Sequence, residues 1–184
     1  MYKFIKEYLE RLKSGNNVYC IESVFDMVYA AMSEGTRTTC CILGTGGPAV
    51  LPDGKFSPCL GFAVDRSKVL GDIWNGFDMA ALTSIANSVA SNPIWTHKQC
   101  RGCFARYWCG GTCYARNQAI HGNIHVLDEH SCDMIRKDWL YRFYAMALLE
   151  EKDPVFFRKM KKSRGKKETL LYSLFREHYN SQKR

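Results

Sequence analysis

Apolar residues recur at helical spacing towards both ends of the chain and lose that spacing in the middle. Over 2–13, Ile5, Leu9 and Leu12 fall on one stripe with Tyr8 beside it, which predicts an amphipathic helix stopped by Gly15. Val24, Val28 and Ala31 predict a second over 22–33, with Gly35 able to close it in a left-handed conformation. Both are read as core-packing helices. A third is expected over 78–89, with Ala81, Leu82, Ile85 and Val89 inward, and a weaker one over 112–119, ended by His121-Gly122-Asn123. The clearest helix is predicted over 133–151, where Ile135, Trp139, Leu140, Phe143, Met146 and Ala147 are apolar. Ser131 is available as its N-cap, and Pro154 is read as its end. A basic segment and a last amphipathic helix over 168–179 follow, with Leu170, Leu171, Leu174, Phe175 and His178 on one side.

Between 40 and 73 the texture is strand and turn. Ala49-Val50-Leu51, the turn Pro52-Asp53-Gly54 and Lys55-Phe56-Ser57 make a β-hairpin, since Pro presets φ and Gly accepts positive φ. A hairpin draws its ends together, so Cys41 (or Cys40) and Cys59 can approach one another. Residues 69–73 read as another short strand, and Pro93 marks the loop leading on to 100. The expected fold is a small α+β domain of short hairpins framed by helices, in three segments: a helical connector over 1–35, a cysteine-rich domain over 36–150, and a basic linker with a C-terminal helix over 151–184.

Composition adds constraints. With 184 residues, 46% hydrophobic and 13% aromatic, the chain can bury a core and is not disordered by composition. The formal charge of +8 is uneven: RKMKKSRGKK over 158–167 has seven basic residues in ten. That run lacks interleaved aromatics and accompanies no nucleic-acid-binding motif, so a solvated linker is expected rather than a nucleic-acid surface. Charged residues interrupt the first thirteen positions, so no secretory signal is read there, and no stretch reads as a membrane span. A cytoplasmic location is expected. In a reducing compartment nine cysteines, an odd number, point to metal or redox chemistry rather than a disulfide framework.

The densest chemistry is Cys100 to Cys113, CRGCFARYWCGGTC, spaced C-x2-C-x5-C-x3-C. Thiolates are soft ligands that suit zinc or iron–sulfur clusters. A structural zinc site often pairs two C-x2-C knuckles, and here there is one, Cys100 and Cys103. One site could take Cys100, Cys103, Cys109 and either Cys113 or Cys132. Cys41 and Cys59 then remain, too many for one site and nearly enough for two. Clustered, loop-borne thiolates suit cubane clusters, and Gly110-Gly111 lets backbone N–H groups approach the sulfurs. His121, His125 and His130 are read as solvated loop histidines. Tyr107 and Trp108 are expected to shield a cluster from water. Arg101 and Arg106 could meet cluster sulfides or a peptide, or simply face solvent. Gly44-Thr45-Gly46-Gly47 lacks the Lys-Ser/Thr of a phosphate loop, and no Ser-His-Asp set or paired-carboxylate site is evident.

In register, these cysteines resemble the SPASM domain, the C-terminal module of radical S-adenosylmethionine enzymes that modify peptides and proteins. Cys41 precedes Gly54 by twelve intervening residues, Gly54-x4-Cys59 follows, and then come Cys100, Cys103, Cys109, Cys113 and the distant Cys132. Leu51-Pro52-Asp53-Gly54, Pro58-Cys59, Leu70-Gly71-Asp72-Ile73 and Cys109-Gly110-Gly111 agree as well. The likeness covers about 36–150 and is greatest to maturases that form thioether links in ribosomally made peptides. It implies two [4Fe–4S] clusters. Cys41, Cys59 and Cys113 would hold the first, with Cys40 an alternative to Cys41. Its fourth ligand would be the other of that pair, Cys20, or none. Cys100, Cys103, Cys109 and Cys132 would hold the second.

The family's C-x3-C-x2-C motif is missing, and so is room for a βα barrel. The expected role is therefore electron transfer or substrate engagement in radical-based peptide or protein maturation. On that reading the chain is not an enzyme by itself. S-adenosylmethionine would enter only through a partner, either a separate barrel subunit or a missing N-terminal portion, and the substrate would be a peptide or protein. No membrane partner is expected. The alternative is a zinc-stabilised interaction module with a basic tail.

Overall fold

Towards both ends of the described residues the apolar stripes close into helices. The computed structural model describes residues 1–14, 21–32, 35–162 and 178. Among them the elements are α1 (Tyr2–Lys13), α2 (Glu22–Ala31), β1 (Ala49–Val50), β2 (Phe56–Ser57), β3 (Gly71–Asp72), β4 (Gly76–Phe77), α3 (Met79–Ala90), α4 (Lys98–Arg101), α5 (Arg106–Cys109), α6 (Tyr114–His121), α7 (Glu129–Lys152) and α8 (Pro154–Lys162). Short 3₁₀ turns lie at Leu60–Phe62 and Ile94–Thr96. Helices with two small antiparallel hairpins make an α+β fold. No helix of the described residues is long and apolar enough to cross a membrane.

The chain divides into two compact units, Met1–Glu34 with Lys137–Arg184, and Gly35–Arg136. The first is a helical packing. Ile5, Tyr8, Leu9 and Leu12 of α1 meet Val24, Phe25 and Val28 of α2, with Ala145, Leu148 and Leu149 of α7 and Phe156, Phe157 and Met160 of α8. Phe25 meets Phe156 edge-on at 5.5 Å, the geometry that aromatic quadrupoles favour. The Tyr8 hydroxyl accepts from the Ile21 N–H at 2.8 Å, tying α1 to the entry of α2.

Helix α6 runs two residues later than the expected 112–119, and two further helix boundaries differ for a capping reason. Helix α7 starts at Glu129, not at 133, because Asp128 caps it and Ser131 lies inside. The Asp128 carboxylate accepts from the Ser131 N–H at 2.9 Å and the Ser131 hydroxyl at 2.5 Å. Pro154, read as a stop, also opens α8: proline suits the first helical position, and Asp153 accepts from the Phe156 N–H at 2.9 Å. The first part of the basic run is therefore helical. The helix expected over 168–179 lies outside the described residues except for His178, whose Nε2 meets Asp153 Oδ2 at 2.8 Å.

The second unit is made of short pieces. Strands β1 and β2 pair Ala49 with Ser57 and Val50 with Phe56 around the expected turn at Gly54, where φ is +76°. The strand expected over 69–73 shrinks to Gly71–Asp72, because Asp72 Oδ1 accepts from the N–H groups of Trp74 and Asn75 and turns the chain back into β4. A bridge between Lys55 and Asp72 joins the two hairpins. Asp78 caps α3 by accepting from Ala80 and Ala81. The apolar centres are small: Leu43, Phe62, Val89, Tyr114 and Ala115 form one, and Ile94, Cys100 and Leu127 another.

Candidate metal centre

Eight of the nine cysteines lie among the described residues, all as free thiols, and Cys20 lies outside them. All eight belong to the second unit, and four of them share one cavity.

Cys100, Cys103, Cys109 and Cys132 line one cavity, together with Arg106 and Arg136. Its empty volume is about 350 Å³, the open mouth included. Tight turns deliver the first three thiols. The Cys100 N–H donates to the His97 carbonyl at 3.1 Å, and the Cys103 N–H to the Cys100 carbonyl at 3.1 Å. Cys109 ends α5, which closes on Gly110 at φ +71°. A Cβ on Gly110 would fall 2.3 Å from the Thr39 carbonyl oxygen, so only glycine permits this approach. The fourth thiol comes from the first turn of α7, where the Cys132 N–H donates to the Asp128 carbonyl at 3.0 Å.

Burial and mutual repulsion shape the electrostatics of this cavity. Burial first, then neighbouring Cys132, Cys109 and Cys103, push the Cys100 thiol up to about 11. Burial likewise raises Cys109 and Cys132. The Arg136 guanidinium opposes the rise at all three. Such thiols keep their protons until a cation displaces them. Among the described residues no three His, Cys, Asp or Glu side chains converge closely enough to hold a single metal ion. The four thiols instead surround a space, which fits a polynuclear group with soft donors at its corners.

The other four are Cys40, Cys41, Cys59 and Cys113. Residues 37–41 are strapped down by backbone bonds: Arg37 N–H to the Tyr107 carbonyl at 2.7 Å, and Ile94 N–H to the Thr38 carbonyl at 2.8 Å. Cys40 and Cys59 both pack against the cluster of Leu43, Phe62 and Tyr114. Cys40 hydrogen-bonds to Cys41 and lies within electrostatic reach of both Cys113 and Cys109, so it also senses a thiol of the cavity. The Cys40–Cys41 bond, with burial, holds the proton on Cys40 and raises it, and the same bond brings Cys41 down to about 7. Ser57, itself buried, donates through its hydroxyl to the Cys59 carbonyl at 3.0 Å. Cys113 stands at the N-cap position of α6 without a side-chain capping bond and is exposed.

A buried polar pair steadies the turn between Cys109 and the start of α6. Thr112 donates to Asn117 Oδ1 at 2.7 Å, and Asn117 Nδ2 donates to the Ile124 carbonyl at 2.9 Å. Both side chains are essentially buried, so their bonds are made away from competing water. Thr112 adjoins Cys113, whose carbonyl accepts from the Asn117 N–H at 2.9 Å.

The remaining sequence candidates lie away from the cavity. Tyr107 is exposed beneath the Arg106 guanidinium, 4.6 Å from its ring centroid, and neither Tyr107 nor Trp108 lines the cavity. Arg101 donates to the Trp95 carbonyl at 3.1 Å. His121 and His130 are exposed, while His125 Nε2 lies 2.7 Å from Ser88 Oγ. Sequence reading missed Arg136, Asn117 and the strap at 37–39. Arg136 could have been found, since it lies four residues after Cys132 on one helix face. The strap rests on long-range backbone bonds that leave no local pattern. No protein-family model and no curated protein matches the chain.

Proposed function

We propose that this chain is an iron–sulfur module of a radical-based peptide or protein maturation system. The carrying observation is the cavity lined by Cys100, Cys103, Cys109 and Cys132. Those four would hold one [4Fe–4S] cluster. Cys41, Cys59 and Cys113 would hold another, with Cys40 beside them. Bound there, such a cluster supplies one-electron exchange with a radical formed on the substrate by a partner.

The chain's own residues do the rest. The thiols surrender protons as the metal binds. Leu43, Phe62 and Tyr114 keep water from the inner face of Cys40 and Cys59. Thr112 and Asn117 hold Cys113 in line. The radical-generating barrel and its S-adenosylmethionine would come from a partner chain or an N-terminal portion, and the substrate would be a peptide or protein. The cytoplasm, where thiols stay reduced, suits this chemistry.

Anaerobic purification followed by iron, acid-labile sulfide and zinc analysis tests the proposal. Brown protein with iron and sulfide in equal amounts is expected. Cys100→Ser with Cys109→Ser should then lose about half of each, because one of two equivalent clusters is removed. Colourless protein with stoichiometric zinc and no sulfide would overturn the reading and leave a zinc-stabilised interaction module.

A further inference from the structure

The two guanidiniums that line the thiol cavity are not equivalent. Arg106 leans over the Tyr107 ring and donates to the Arg101 carbonyl. Arg136 lies one helical turn beyond Cys132 on α7, so both side chains share a face. Its field acts on Cys100, Cys109 and Cys132, which come from three separate elements. Arg37 also acts on Cys109. Arg136 is also tethered: its Nη1 lies 2.5 Å from Asp133 Oδ1. That carboxylate pairs with the guanidinium on a partly exposed surface and offsets part of its charge.

We infer that Arg136 sets the reduction potential of the cluster held by Cys100, Cys103, Cys109 and Cys132, and that Asp133 attenuates it. The inference rests on the iron–sulfur reading above. A cubane with four thiolates is anionic, and gains one further negative charge when an external reductant supplies one electron. No bond is formed or broken, and no proton moves. A fixed cation at the cavity wall stabilises the more negative, reduced state and raises the potential. Removing it shifts the equilibrium towards the oxidised state. Removing Asp133 shifts it the other way. Arg136 acts here as a tuning residue, not a ligand.

The test is a redox titration of the full chain, loaded anaerobically with iron and sulfide and reduced stepwise with dithionite, with each cluster followed by electron paramagnetic resonance. Arg136→Gln should change the reduced-to-oxidised ratio of one cluster about fivefold to tenfold at a fixed potential. A tenfold change corresponds to about 59 mV for one electron. The other cluster should move little. Arg136→Lys, which keeps the charge, should stay near wild type, and Asp133→Asn should shift the same cluster in the opposite direction by less. If Arg136→Gln loads fully and neither potential moves, the inference fails while the iron–sulfur reading stands. It fails too if Arg136→Gln and Asp133→Asn shift the same way. Should Arg136→Gln not load, Arg136→Lys and Asp133→Asn carry the test, and an unmoved potential in Asp133→Asn overturns the inference. Wild-type protein that takes up no iron or sulfide overturns the parent reading and this one with it.

Discussion

The two units solve the same problem by different means. In the helical unit thirteen buried residues from four helices form one continuous core. In the cysteine-bearing unit the clusters of buried residues number five and three. Apolar burial is the dominant favourable contribution to folding, at roughly 25 cal/mol per Å². A unit with a thin, divided core needs another source of order. It has short turns, caps and a buried Thr112–Asn117 pair, and it carries all eight described cysteines. The difference teaches that the thiols are not decoration on a finished scaffold. On the proposed reading, bound metal replaces the missing core, as it does in small metal-stabilised domains.

The largest expected effect follows from that. Stripping iron by oxidation and chelation should leave residues 35–136 open to limited proteolysis while cleavage within 1–14 and 145–162 changes little. Structural metal can supply on the order of 10 kcal/mol to a small domain, more than any one side chain. Fragment mapping by mass spectrometry reads the outcome. Equal loss of protection in both units would break the comparison.

The next effect belongs to the helical unit. Phe156 is fully buried and packs edge-on against Phe25. Phe156→Ala should cost about 3–5 kcal/mol through lost burial and a residual cavity. Urea unfolding followed by far-ultraviolet circular dichroism measures it. Phe62→Ala in the other unit removes a side chain buried just as deeply. It should fall at the low end of that range in metal-loaded protein, because fewer apolar neighbours depend on it. Equal losses would argue that both cores carry equal weight.

Smaller again is a contrast between two glycines of the cysteine-bearing unit. Gly110 and Gly122 both end helices with positive φ, +71° and +66°. A Cβ at Gly122 would meet nothing within 4 Å, whereas one at Gly110 would collide with the Thr39 carbonyl. Gly122→Ala should cost about 1–2 kcal/mol, the left-handed penalty alone. Gly110→Ala should cost more and push the strap at 37–41 away. Maleimide labelling of Cys40 and Cys41 should then accelerate, with no such change in Gly122→Ala.

What was legible in the sequence follows the same division. Helix α1 was readable in full, since Ile5, Leu9 and Leu12 repeat at helical spacing and all are buried. The β1–β2 hairpin was readable from Pro52-Asp53-Gly54. The start of α7 was not, because its first turn, Glu129-His130-Ser131, carries no apolar stripe and Ser131 offers an equally good cap nearer the stripe. Helix α8 hid behind Pro154, which in this position opens a helix, and behind basic residues that surround Phe156, Phe157 and Met160. Cysteine spacing suggested two groups of thiols. It could not show Arg136 at the cavity wall or the strap, since both depend on contacts distant in sequence.

The smallest expected effect concerns Asp128, the cap of α7. Hydrogen bonds from Ser131 and the adjacent Arg116 guanidinium hold its carboxyl well below the usual carboxylate range. A carboxyl lowered on folding adds stability that is complete above its unfolded value, near 3.9, and is lost as pH falls below it towards the folded value. Asp128→Asn keeps the shape and removes the charge. The variant should therefore be less stable than wild type from neutral pH down to about 4, and the gap should close below that. Thermal unfolding of both proteins side by side measures it, and subtraction cancels acid effects common to both. A gap that persists unchanged to pH 3 would mean the carboxylate's charge is immaterial. The order of this thin-cored unit would then rest on its thiol sites and packing alone, and the contrast with the helical unit would be sharper still.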